Sequence, residues 1–346
     1  MPYLVAHSLD KGDFEGAVQA FKESIRLLPT YESHSELGRA LKCLGDTAES
    51  LLATKEAIRL ASGSKEAASA WCDYAITLHE SGDIDGAIRA SRRCIELKHD
   101  ESNYHYCLSR FLRDSGDSQG QIKSLRVAIS LDPLAVRPLI SLACAEGRRG
   151  KKAEAMTLWE RATQAARKGG DQECVAECLS GYGEACTEMG KHHKARLALE
   201  EATRLHPDKA MYHHELAGTL HTFSQMLPMK SPADCDWPEF YNLLLTLRHN
   251  PKDFPDAVVD TKRSLSMSAI ESLRTALRLE PDNLSIHYEL ARQLSMWVSN
   301  RREALEVCKA GLALNPKHVY YSYIKRLRDE MLDPKSRLYV NWKPQK

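Results

Sequence analysis

Histidine, glutamate and cysteine are the side chains here that could bind a metal or move a proton, and their densest gathering is His213-His214-Glu215 with His221. A zinc hydrolase helix needs H-E-x-x-H, since that spacing turns two rings toward one ion and leaves the glutamate as general base. The second ligand position is Gly218, so the pattern fails. His214 and His221 stand seven residues apart on one helix face, which suits a binding surface. Cys174 and Cys178 lie one turn apart with Cys186 and His192 beyond, a spacing tetrahedral zinc sites rarely use; they read as small buried residues. Gly181-Tyr182-Gly183-x-x-Cys186 mimics part of a dinucleotide fingerprint but lacks the third glycine and a preceding strand. No phosphate-cradling loop, nucleophile elbow or kinase signature is present. Accordingly no catalytic residue, metal ligand or cofactor-binding residue is assigned, and the chain reads as a non-enzyme that needs no cofactor.

Composition narrows the partners. Against 48 Lys+Arg stand 47 Asp+Glu, which argues against a general nucleic-acid binder. No run approaches the ~18 to 20 apolar residues of a membrane-spanning helix, so no membrane insertion is expected. The start, MPYLVAHSLDKGDF, lacks the basic and long apolar regions of a secretory signal. Ten cysteines form no C-x-x-C pair, and Cys94, Cys186 and Cys308 fall on apolar helical stripes. They read as small hydrophobes in a reducing, cytoplasmic setting.

What positions any functional side chain is a recurring turn. Glycine followed by Asp or Lys appears at Gly12-Asp13, Gly45-Asp46, Gly82-Asp83, Gly116-Asp117, Gly150-Lys151 and Gly190-Lys191, at intervals of 33 to 40 residues. A period near 34 in a helix-rich sequence means stacked helical hairpins. Aligned on the turn, the clearest segment is Trp71-x-x-Tyr74-Ala75-x-x-Leu78, then Gly82-Asp83-Ile84, then Ala87-Ile88, Cys94-Ile95 and Leu97. KGDFEGAVQAFKESIRLLP carries Ala17, Phe21, Ile25, Leu27 and Pro29 in the same register. Small residues such as Gly38, Ala75, Gly183 and Ala217 let helices approach, while Trp71, Tyr74, Trp159 and Tyr182 are expected to fill the space between.

These motifs resemble the tetratricopeptide repeat family. The resemblance implies an all-α, right-handed superhelical solenoid of about eight helix-turn-helix repeats with a C-terminal capping helix. Repeats are expected at about 1–29, 31–64, 68–101, 102–135, 136–169, 176–209, 210–281 and 284–317. Residues 1–224 then hold six repeats, the first reading as clipped, plus the first helix of the seventh. An insertion, 225–265, splits that repeat; 266–317 completes it and adds the eighth, 318–332 caps the array through Tyr320, Ile324, Leu327 and Met331, and 333–346 is a tail. Within the insertion, Asp236-Trp237-Pro238-Glu239-Phe240 with Leu243, Leu244 and Leu247 reads as a short capped amphipathic helix. Pro228, Pro232, Pro251 and Pro255 around it favour extended or turn structure.

In the family the first helix of each repeat lines the concave face, which holds extended peptides or partner helices. Carried over by register, the groove residues are Arg39, Lys42, Tyr106, Arg110, Arg113, Arg137, His214, Tyr288 and Arg292, with Trp237, Phe240, Leu244 and Leu247 as contacts from the insertion. Glu36, Asp73, Asp114, Glu215 and Glu289 are interleaved. The resemblance thus implies a scaffold or adaptor for a protein or peptide partner, in a larger assembly, rather than a small-molecule site. A co-chaperone or cargo adaptor with the insertion as a lid is one alternative, and an RNA-binding helical repeat is another.

Overall fold

The computed structural model describes residues 13–227, 254–297 and 301–333. The described residues are all helical, with no strand. They divide into two compact units, residues 1–149 and 150–346. The first holds α1 (Phe14–Leu27), α2 (Tyr31–Cys43), α3 (Thr47–Leu60), α4 (Ser64–Glu80), α5 (Ile84–Leu97), α6 (Ser102–Asp114), α7 (Ser118–Leu131) and α8 (Val136–Arg148). The second holds α9 (Lys152–Gly169), α10 (Gln172–Glu188), α11 (His192–Leu205), α12 (Ala210–Met226), α13 (Phe254–Leu279), α14 (Leu284–Trp297), α15 (Arg301–Leu312) and α16 (Val319–Leu332).

The described Gly-Asp dipeptides form their joints by a division of labour. Gly45, Gly82, Gly116, Gly150 and Gly190 have φ of 72° to 90°, a left-handed conformation that costs side chains with a Cβ and suits a helix end. At Gly82 the amide donates to the His79 carbonyl at 3.0 Å, and the Asp83 amide donates to Leu78 at 2.9 Å, closing α4. The Asp83 carboxylate then accepts the Gly86 amide at 2.8 Å and starts α5. Asp46 and Asp117 cap α3 and α7 in the same way. Lys151 and Lys191 replace the aspartate before α9 and α11, and neither side chain caps its helix.

Within each unit the two helices of a hairpin pack together, α2 with α3, α4 with α5 and α6 with α7 in the first and α10 with α11, α12 with α13 and α14 with α15 in the second, and successive hairpins meet through α3 on α4, α5 on α6, α11 on α12 and α13 on α14. Alanines 75, 87, 195, 217, 269 and 304 are fully buried at the contacts, as their spacing predicts. Glycine serves the same end where a large side chain arrives. A Cβ on Gly181 would overlap the indole of Trp159, and one on Gly183 would overlap Leu199. The dinucleotide-like Gly181-Tyr182-Gly183 is therefore a packing motif. Helix α16 covers the last hairpin, burying Ile324, Leu327 and Met331.

Two expectations are corrected. Trp71 is only half-buried: its ring meets Tyr74 edge-on at 5.9 Å on the margin of the Cys72, Ala75, Phe111 core, so it borders the core rather than filling it. Helix α13 begins at Phe254. Pro255, read as a turn former, sits in its first turn, where a missing amide donor is harmless. Several readings lie outside the described residues: the start of the first repeat with Gly12, the insertion helix with Trp237, Phe240, Leu244 and Leu247, and the tail beyond 333.

The capping argument predicts opposite effects at equivalent joints. Asp83→Ala should destabilise the first unit by about 1 kcal/mol, while Lys191→Asp should stabilise the second by a similar amount. Chemical denaturation followed by circular dichroism measures both.

Candidate protein-interaction faces

In the first unit the side chains of interest lie on α2, α4, α6 and α8. The first helices of successive repeats touch, α2 against α4 and α4 against α6. Polar links run between them. Ser35 Oγ donates to Asp73 Oδ2 at 3.2 Å, and His79 Nε2 lies 2.7 Å from Asp114 Oδ2. Asp114 also accepts Arg113 Nε at 2.8 Å, and Arg39 pairs with Glu36 one turn earlier at 2.9 Å. Of the cations assigned to this face, Arg39 and Arg113 are thus tied to neighbouring carboxylates. Lys42 and Arg110, both half-buried, and the exposed Arg137 form no ion pair with described residues. Arg110 lies one turn beyond the half-buried Tyr106 on α6, so an aromatic ring and an uncommitted guanidinium share that face.

The second unit gathers the other assigned residues. Arg292 Nη1 meets His221 Nε2 at 3.3 Å, while its Nη2 and Nε donate to Glu289 Oε2 at 2.6 Å and 3.1 Å. An arginine can only donate, so this His221 nitrogen accepts. His214, one face-sharing step earlier on α12, feels Glu289 and Glu280. Tyr288 contacts two rings of the capping helix, Tyr320 and Tyr323, each with a centroid separation of 5.8 Å. Ser180 donates to the Glu215 carboxylate, and Thr187 and Thr219 meet at 3.1 Å. His214, Tyr288 and Arg292 are thus brought into one neighbourhood of α12 and α14.

Sequence reasoning did not foresee Tyr323 or the serine–carboxylate links. Tyr323 is exposed on α16, at 50%, off the Tyr320, Ile324, Leu327 and Met331 side that the helical period marks. The links do leave a faint signal: Ser35 to Asp73 and Ser180 to Glu215 join equivalent positions of adjacent repeats, 38 and 35 residues apart. Helical periodicity inside one repeat cannot show a contact made between two.

No described group of three or more His, Cys, Asp or Glu side chains could hold a metal ion. No described helix is long and apolar enough to cross a membrane.

Comparisons with known proteins agree with this architecture. The tetratricopeptide repeat family model matches residues 68–100, the segment around Trp71 and the Gly82 joint. The PilF structure from Pseudomonas aeruginosa is 14% identical with a TM-score of 0.54, over 76% of this chain and 98% of that one. The APC/C hetero-tetramer Cut9–Hcn1 is 15% identical with a TM-score of 0.55, over 84% of this chain and 48% of that one. The C-terminal part of a TPR repeat-containing protein from Cytophaga hutchinsonii is 10% identical with a TM-score of 0.55, over 83% of this chain and 98% of that one. At such identities the likeness is one of fold. Curated protein sequences contain no match.

The partly buried carboxyls and histidines of these faces give opposite pH responses. Burial raises the Asp73 carboxyl above its ordinary value, against the pull of Arg39 and the Ser35 hydrogen bond. Burial likewise raises Glu215, and Glu184 adds to it while Ser180 opposes. A raised carboxyl favours folding when protonated and loses that contribution as pH climbs through the folded value, so both charges cost stability at neutral pH. Burial depresses His214 and His221, with Arg292 reinforcing the effect at His221. Their contribution is complete above the ordinary histidine value and is lost as pH falls below it toward the folded values. Asp73→Asn and Glu215→Gln should therefore each raise stability at pH 7, by roughly 0.5 to 1 kcal/mol. Thermal melts at pH 7 and pH 4 test this, and the gain should shrink at the lower pH.

Proposed function

This chain is a tetratricopeptide-repeat protein, and from that premise we propose that it is a non-catalytic scaffold whose first-helix faces bind a peptide or helix of a protein partner. The observation that carries this reading is the contrast among its cations. Many surface arginines and lysines close ion pairs with a carboxylate three or four residues away, as Arg26, Arg59, Arg93 and Arg196 do. Lys42 and Arg110 do not, although both are half-buried on the face that also carries Tyr106. Lys42 acts on the buried Asp73 charge without closing an ion pair with it, and arginine and tyrosine together are what interface hot spots are enriched in. Acidic groups interleaved along the same helices, Glu36, Asp73 and Asp114, favour a patterned protein ligand over an unbroken polyanion.

Membership in a larger assembly is part of the proposal, and at the level of fold it is supported by the hetero-tetramer Cut9–Hcn1. The reading as a co-chaperone or cargo adaptor rests on the 225–265 insertion, whose Trp237 and Phe240 lie outside the described residues. The RNA-binding alternative has only the scattered basic residues in its favour.

The test is a paired charge reversal. Lys42→Glu with Arg110→Glu should leave the helical circular-dichroism signal unchanged and weaken capture of the partner at least tenfold, about 1.4 kcal/mol. Equal capture by variant and parent would reject this face as the binding surface. Retention of RNA through moderate salt, with no protein partner recovered, would favour the nucleic-acid reading instead.

A further inference from the structure

The interior of the first unit brings three thiols into one cluster. Cys72 on α4, Cys94 on α5 and Cys107 on α6 are 7%, 1% and 5% exposed and share a core with Ala75, Leu108 and Phe111. Cys72 Sγ and Cys107 Sγ are 4.0 Å apart, in contact across two adjacent first helices. A disulfide needs a separation of about 2 Å, so the two sulfurs have to close by about 2 Å, between helices that already touch. Among the other described cysteines, Cys43 is exposed, and Cys174 and Cys178 are successive turns of one helix, where a bond would join nothing new.

We propose that Cys72 and Cys107 form a reversible disulfide under peroxide, a modification that ties α4 to α6. The reaction balances with one peroxide molecule. One thiolate attacks a peroxide oxygen, the O–O bond breaks, and the released hydroxide takes a proton to become water, leaving a sulfenic acid. The second sulfur attacks the oxidised one, the S–S bond forms, the S–O bond breaks, and a second water leaves. Two thiols have lost two hydrogens, and peroxide has been reduced to two waters. Dithiothreitol reverses the change by exchange.

The chemistry sets its own pace. Contact with Cys72 and burial push the Cys107 thiol far above the ordinary thiol range, so the reactive thiolate is scarce at neutral pH. Oxidation is accordingly slow at pH 7 and accelerates as pH rises. That rate law separates a buried pair of this kind from an exposed low-pKa sensor.

The consequence falls on the interaction face. Cys72 adjoins Asp73 in the chain, and Cys107 lies between Tyr106 and Arg110. A bond between them fixes the spacing of the two helices that carry those groups. The modification goes beyond the binding proposal and holds whether or not that face binds a partner.

Tryptic cleavage places the three cysteines on separate peptides, 66–89, 94–98 and 99–110. The full chain is treated with hydrogen peroxide under native conditions at pH 7 and pH 8.5, alkylated, digested without reductant and read by mass spectrometry. The expected product links 66–89 to 99–110, two hydrogens lighter than the sum of its parts, forms faster at the higher pH, and disappears with dithiothreitol. The 94–98 peptide should remain alkylated. Cys43→Ser should leave the link intact, and Cys107→Ala, checked for helicity by circular dichroism, should abolish it. In the oxidised chain, amide hydrogen exchange in α4 and α6 should slow relative to the reduced chain. Recovery of both peptides fully alkylated while Cys43 has been oxidised, or a link that runs to 94–98 instead, overturns the proposal.

Discussion

Everything in this molecule depends on how one helix is stopped and the next begun within two residues. A helix ends with unsatisfied carbonyls and begins with unsatisfied amides, and a short joint has to serve both. Glycine at positive φ turns the chain so that the last carbonyls of α4 accept the Gly82 and Asp83 amides, and the Asp83 carboxylate at once accepts an amide of α5. Because both halves of the solution are local, they repeat without reference to the rest of the fold. The packing of hairpin on hairpin then needs only small residues at the contacts, which Ala75, Ala87, Gly183 and Ala217 supply.

That locality explains what could be read from the residues alone. Joints, helix periods and the capping helix with Ile324, Leu327 and Met331 depend on neighbours within a turn or two. Trp71 was misjudged because period tells which face a residue occupies but not how much of a large ring the neighbouring repeat covers. Pro255 was misjudged for a related reason: proline forbids a helix interior yet suits a first turn, and only the position of the helix start decides between them. The site was less legible than the fold. Arg292 with His221 joins residues 71 apart, and Ser35 with Asp73 joins residues 38 apart, through offsets set by the stacking of repeats.

Stacking also determines which polar groups end up expensive. On the outer positions of a helix, a charge finds its partner three or four residues away and both remain in water, which contributes little either way. On the first-helix face the neighbours belong to another repeat, and the match is less complete. Asp73 and Glu215 are each held by one serine hydroxyl, and burial still drives their carboxyls upward. The same register in the two units carries the same device, a serine of one repeat reaching an acid of the next.

Such groups weaken a scaffold at neutral pH, whereas an alanine or a leucine in their place could pack without penalty. A fold assembled from self-sufficient joints has no structural need for them, since the joints and the alanine contacts define the hairpins without them. Their cost is the physical distinction between this face and the rest of the surface. It falls on Asp73 of α4 and Glu215 of α12, where each acid accepts one hydrogen bond from a serine of the repeat before it and burial outweighs that return.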